Sequence, residues 1–199
     1  MKKSVKYVIL LLCFVLVMAA CVMLYDKLSA ANTPLDTSVS AGTEESPAQE
    51  SDTDVEEKRE PAPDFSCLST NGNTVKLSDK FGKPIVLNFW ASWCGPCTGE
   101  LPAFENLYQE YGEDIEFMMV NMTDGGQETQ NSAMRFLVNS DYTFPVYLDV
   151  DLEAASAYGV YFIPQTHLIN AEGELMMSHM EAVSEEKLRE SIETYLLGD

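Results

Sequence analysis

The stretch NFWASWCGPCTGELP, residues 88–102, decides what kind of fold this chain adopts. Just before it, and overlapping its start, KPIVLNFW (residues 83–90) is an almost continuous apolar run, as in a strand covered on both faces. Behind it, Leu101, Phe104, Leu107 and Tyr108 recur at helical spacing as far as Gly112. Cys94 therefore leaves a buried strand directly, and Gly95-Pro96 opens the next helix. Pro96 suits a first turn, where its missing N–H would be unpaired anyway. A thiol placed there faces free amide N–H groups and the positive end of the helix macrodipole, which favour thiolate over thiol. Cys94 is expected to be a nucleophile. Cys97, one turn on and less exposed, is expected to be the thiol that resolves a mixed disulfide.

Other uses of such a pair fit less well. A zinc site needs four ligands, and the folded part offers only Cys67, His167 and His179 besides Cys94 and Cys97. A structural disulfide closing four residues is a poor staple. A peroxidase of related fold wants Pro-x-x-x-Thr-x-x-Cys at its reactive thiol, and Leu87 and Ala91 stand where Pro and Thr would be. The pair could also serve as soft ligands in a copper- or haem-delivery module.

Working outward, DFSCLSTNGNTVKLSD (64–79) alternates around Asn71-Gly72 and reads as a hairpin, with Asn-Gly supplying positive φ angles. IEFMMVNM (115–122) is a second buried strand. Residues 127–139 read as a helix, FPVYLD (144–149) as a short strand, and Leu152–Tyr158 as a short helix closed by Gly159. THLIN and LMMSHM flank AEGE as an antiparallel hairpin, and a helix capped by Ser184 closes the chain. Strands alternating with helices, then a closing hairpin and helix, imply an α/β domain with a mixed sheet. Met118, Met119, Met176 and Met177 fall on strands, as core packing requires.

The N-terminus is a different kind of sequence. Lys2, Lys3 and Lys6 precede 19 uncharged residues, Tyr7 to Tyr25. That length can span a bilayer as a helix, with the lysines favouring cytoplasmic retention of the end. A competing reading takes MAAC (18–21) as a lipoprotein cleavage site with Cys21 lipidated, although the apolar run continues past it. Either way residues 1–28 form an export segment that leaves the chain attached to the membrane, with the remainder on the extracytoplasmic side. Residues 29–60 turn abruptly to Ser, Thr, Ala, Pro, Asp and Glu and read as a disordered, self-repelling linker. Its random-coil reach is on the order of 30 Å.

The folded domain is assigned to residues 61–199. The 199-residue chain carries 12 basic and 32 acidic side chains, a net charge of -20, and the domain alone has 6 basic and 22 acidic, hence -16. A surface so negative repels phosphate backbones and excludes nucleic acid as a partner.

VLNFWASWCGPCTGELPAF, APDFSCLSTNGNTVKLSD, FPVYLDVD and AYGVYFIPQTHLINAEGE, in that order, resemble the TlpA/ResA-type extracytoplasmic thioredoxins. The resemblance covers essentially all of residues 61–199. It implies a thioredoxin fold, a mixed sheet flanked by helices, with an added N-terminal hairpin and a helical insertion near residues 127–140. It also implies a tethered disulfide reductase that takes electrons from a membrane thiol donor. Its clients would be disulfide-containing proteins such as apocytochromes, in cytochrome c maturation, or methionine sulfoxide reductases. No cofactor is needed, since the dithiol itself carries two electrons. By the same resemblance Ile163-Pro164 falls where the family keeps a cis-proline beside the thiols, exposing backbone that can pair with an extended client strand. Trp93, with Gly95 and Pro96, would contribute to the docking surface.

Asn88 stands where cytoplasmic thioredoxin has a buried Asp, so it cannot take the resolving thiol's proton. Glu100, three residues after Cys97 on the same helical face, is the substitute, against the alternative of a solvated first-turn carboxylate. His167 is expected to be a satisfied strand histidine rather than a pH-sensitive docking residue, and Cys67 an inert buried thiol. The Gly-Pro dipeptide matches thioredoxin and favours reduction over disulfide formation.

Overall fold

The apolar run before the cysteines forms an inner strand of a seven-stranded sheet. The computed structural model describes residues 59–198 and five positions of an N-terminal helix, Leu11, Cys13, Phe14, Leu16 and Met18. Most of the anchor at 1–28, lipidation of Cys21 and nearly all of the linker at 29–60 lie outside the described residues. Among those described, no helix is long and apolar enough to cross a membrane.

The strands are β1 (Ser66–Ser69), β2 (Thr74–Lys76), β3 (Ile85–Trp90), β4 (Glu116–Asn121), β5 (Val146–Leu148), β6 (Gln165–Ile169) and β7 (Leu175–His179). Their order is β2-β1-β5-β4-β3-β6-β7. The β3–β4 and β4–β5 pairs are parallel, and the others antiparallel. The helices are α1 (Gly95–Tyr111), α2 (Gln130–Val138), α3 (Glu153–Ala157) and α4 (Glu185–Ile192), which runs on as a π-helical turn. This is the mixed, helix-flanked sheet expected, with the hairpin β1–β2 added at one edge.

All six residues of β3 are buried, and their alternation divides the core. Val86 and Trp90 join Leu101, Phe104, Leu107, Phe117, Leu188 and Ile192 in the layer under α1 and α4. Ile85, Leu87 and Phe89 join Phe65, Leu77, Met118, Val120 and Ala154 on the opposite face. Asn88 lies between Leu87 and Phe89, so the same alternation turns it towards α1. A polar side chain is thereby buried against the helix that carries both cysteines.

Two local readings are corrected. The β1–β2 loop is not a two-residue turn with two positive φ angles, since only Gly72 has one (φ 85). Gly72 N–H donates to Ser69 O (2.8 Å) and Ser69 N–H to Asn73 O (2.9 Å). That closes a three-residue loop in which one glycine absorbs the left-handed geometry. The helix expected over 127–139 starts later, at Gln130, because Thr129 caps it. Thr129 Oγ1 accepts from Ser132 N–H (3.1 Å) while Ser132 Oγ accepts from Thr129 N–H (2.8 Å).

Candidate active site

Cys94 is the N-cap of α1, and its Sγ lies 3.2 Å from Cys97 N–H. The two sulfurs are joined as a disulfide. The sequence produces this geometry because β3 ends at Trp90 and the chain must reverse within four residues to start a helix that packs back on the sheet. Both cysteines are buried, Cys97 completely, while Gly95 and Pro96 beside them are exposed. Trp93 is half exposed. α1 continues through Pro102 without interruption.

Glu100 is buried, which removes the solvated alternative. Its Oε1 accepts from Asn88 Nδ2 (2.9 Å) and its Oε2 from Val183 N–H (2.9 Å). Burial pushes the carboxyl up to about 7, only partly opposed by those two hydrogen bonds. Asn88 also donates to Thr166 Oγ1 (3.0 Å), its cross-strand neighbour on β6. A carboxyl group poised near neutrality thus sits one turn after Cys97, held by β3 and by the loop before α4.

The Ile163–Pro164 peptide bond is cis. The Ile163 carbonyl oxygen lies 3.9 Å from Cys94 Sγ. Pro164 is buried, Ile163 half-buried, and Tyr161 and Phe162 before them are exposed. Of the expected site residues, Trp93, Cys94, Gly95, Pro96, Cys97 and Glu100 lie on one loop–helix segment. Ile163 and Pro164 reach it from the other side of the sequence through the β3–β6 pairing.

The family model described as the AhpC/TSA family matches residues 59–178. The chain belongs to the AhpC/TSA family. Within the AhpC/TSA family it stands with the ResA-type thiol–disulfide oxidoreductases, and that is its enzyme class. It is 32% identical to the thioredoxin-like protein YneN of Bacillus subtilis over 66% of this chain and 76% of that one. The thiol-disulfide oxidoreductase ResA of Bacillus subtilis is 39% identical over 58% of this chain and 63% of its own length. The ResA of Halalkalibacterium halodurans is 34% identical over 67% and 74% respectively. Among solved structures, StoA of Bacillus subtilis superposes with a TM-score of 0.57 at 30% identity, covering 65% of this chain and 98% of StoA. The exposed lipoprotein thioredoxin Etrx1 of Streptococcus pneumoniae gives 0.59 at 28% identity, covering 66% and 98%.

His167 and Cys67 stand apart from this site. His167 is the cross-strand partner of Leu87, so it faces the core layer away from α1, against Phe89 and Tyr158. Burial lowers its pKa to about 4, and Nδ1 lies 2.8 Å from Ser178 Oγ. Cys67 is buried in that same layer, and burial pushes its thiol up to about 12.

Sequence reasoning missed Glu128. It is fully buried and accepts hydrogen bonds from Ser92 N–H, Ser92 Oγ and Ser132 Oγ. It ties the start of the helical insertion to the loop two residues before Cys94. Its position in a polar segment, DGGQET, gave no sign of burial, and its partner Ser92 lies 36 residues away.

Proposed function

We propose that this oxidoreductase is a reductase of protein disulfides, held on the extracytoplasmic side of the membrane by its N-terminus. The observation that carries the reading is the Cys94–Cys97 disulfide capping α1 with the Ile163 backbone alongside it. Once reduced, Cys94 Sγ accepts from Cys97 N–H and lies at the positive end of α1, so the thiolate is its favoured form. That thiolate attacks one sulfur of a client disulfide. The client bond breaks, its second sulfur leaves as thiolate, and a mixed disulfide forms with Cys94. Cys97 then attacks Cys94 Sγ, releases the first client sulfur as thiolate and restores the Cys94–Cys97 disulfide. Two electrons have passed to the client, and a membrane thiol donor returns them.

Cys97 is buried and must lose its proton to act. Glu100, with its carboxyl near 7, accepts that proton and returns it as the cycle closes. Trp93, Gly95 and Pro96 border the attacking sulfur, and the Ile163–Pro164 backbone aligns the client segment. Suitable clients are the classes that the family resemblance implies, an apocytochrome c or a methionine sulfoxide reductase.

The deciding experiment is the reduction potential of the Cys94–Cys97 couple, equilibrated against glutathione or dithiothreitol and read by thiol trapping. A value near or below about -250 mV is expected, as for reducing thioredoxins. A value above about -150 mV would mean that the protein donates disulfides, and the reductase reading would fall.

A further inference from the structure

We propose that Glu128 is a positioning residue for the closing step of the redox cycle: its carboxylate clamps the turn before Cys94 and so keeps Cys94 within reach of Cys97. This rests on the oxidoreductase reading above and deepens it. β3 ends at Trp90, and Ala91, Ser92 and Trp93 form a turn closed by Cys94 N–H donating to Ala91 O (3.2 Å). Among the described residues, Glu128 is the only side chain hydrogen-bonded to that turn. It accepts from both the backbone N–H and the hydroxyl of Ser92, and so fixes the turn's second residue at two points.

The clamp is itself anchored. Glu128 N–H donates to Asp124 Oδ1 (2.9 Å), Gly125 N–H donates to Glu128 O (2.9 Å), and Ser132 Oγ of α2 donates to the carboxylate. Glu128 is fully buried. A buried carboxylate is costly unless it is well hydrogen-bonded, and a charge-assisted bond to a backbone N–H is roughly twice as strong as a neutral one. Such a group is a stiff tie, and it sits two residues before the nucleophile.

The two cysteines are held by different parts of the fold. Cys97 is fully buried, and its helix is rooted in the core through Leu101, Phe104 and Leu107. Cys94 stands at the seam where the turn meets α1, between half-exposed Trp93 and exposed Gly95 and Pro96. Its place relative to Cys97 therefore depends on the turn behind it. In the closing step Cys97 Sγ attacks Cys94 Sγ of the mixed disulfide. The bond from Cys94 to the client sulfur breaks, the client leaves as thiolate, the Cys94–Cys97 bond forms, and the Cys97 proton passes to Glu100. The attack needs the sulfurs in line, and effective concentration falls steeply when reacting atoms drift. The same drift makes the disulfide less favourable to close, which raises the potential of the couple.

The test compares the purified full chain in detergent, as wild type, Glu128→Ala, Glu128→Gln and Thr129→Ala. Glutamine keeps an oxygen for the Ser92 N–H and turns its amide towards hydroxyls that can accept, so it preserves the clamp without the charge. Thr129→Ala removes the neighbouring cap and leaves the clamp alone. Each reduced protein is mixed with a disulfide-linked homodimer of a short lysine-containing peptide, quenched with acid and scored for the Cys94–peptide mixed disulfide. The alanine variant is expected to resolve this species about tenfold more slowly, so that it accumulates. Its potential against glutathione should rise by about 30 mV, the same tenfold at about 29.6 mV per decade for two electrons. Glutamine should restore both readings, and Thr129→Ala should leave both unchanged. Glu128→Leu, which fills the space without an acceptor, gives the same readings should the alanine variant not fold. Wild-type resolution without the carboxylate would overturn the proposal, as would an equal slowing in Thr129→Ala. An oxidising wild-type potential would defeat the reductase reading yet leave the differences between variants intact, so the two failures are separable.

Discussion

At the scale of single residues, Glu100 and His167 pull the pH dependence of stability in opposite directions. Glu100 titrates near 7 when folded and near the ordinary carboxylate value when unfolded, so the native state binds the extra proton between them. Its contribution is fully present below the unfolded value and is lost as pH rises through about 7, a change of roughly 3 kcal/mol. His167, lowered to about 4, does the reverse: its contribution is present above the unfolded histidine value near 6.5 and is lost as pH falls towards 4. Glu100→Gln removes the first effect and leaves the second. Urea unfolding of the oxidised protein should therefore show the variant gaining on the wild type by a few kcal/mol between about pH 4 and pH 8. Parallel curves would show that Glu100 titrates normally. The importance of Glu100 was legible in the sequence, because three residues on one helix are enough to place it behind Cys97. Its second anchor, Val183 N–H, was not, because an 83-residue separation leaves no local pattern.

At the scale of elements, what could be read depended on how local the causes were. The hairpin around Gly72, the run Ile85–Trp90 and the helix opened by Pro96 each follow from residues within one turn or strand. The insertion helix α2 was legible as an element but not at its start, where the Thr129–Ser132 capping box and the buried Glu128 decide the geometry. Glu128→Ala would leave the Ser92 amide without its acceptor, while the Ser132 hydroxyl keeps Thr129 O (2.9 Å). The expected cost is about 1 kcal/mol, from the half-buried Ser92 donors that lose their partner. Denaturant unfolding reads the cost, and amide hydrogen exchange at Ser92 should quicken by more than at β4, whose contacts are untouched. A destabilised variant with Ser92 exchange unchanged relative to β4 would mean that Glu128 does not hold the loop before Cys94. Thr129→Ala separates capping from clamping: it should cost about 1 kcal/mol and leave Ser92 protected.

At the scale of the whole molecule, net charge is the property that no single element carries. Among the described residues, the few cations are partly engaged: Arg189 lies 2.7 Å from Glu110, and Lys80 lies 3.1 Å from Glu116. The surface therefore presents an excess of carboxylates to any approaching client. A field of that sign accelerates encounter with cationic partners and slows it with anionic ones, and salt screens both effects once the Debye length falls to a few ångströms. For disulfide peptides identical except for Lys or Glu flanks, the Lys form should react faster at low salt. Its rate should fall by about tenfold between roughly 10 mM and 500 mM salt, while the Glu form quickens. The two lines should converge at high salt, because the exchange chemistry at Cys94 is common to both. If the lines stay parallel, the acidic surface plays no part in choosing clients, and selectivity lies in short-range contacts around Trp93, Tyr161 and Phe162.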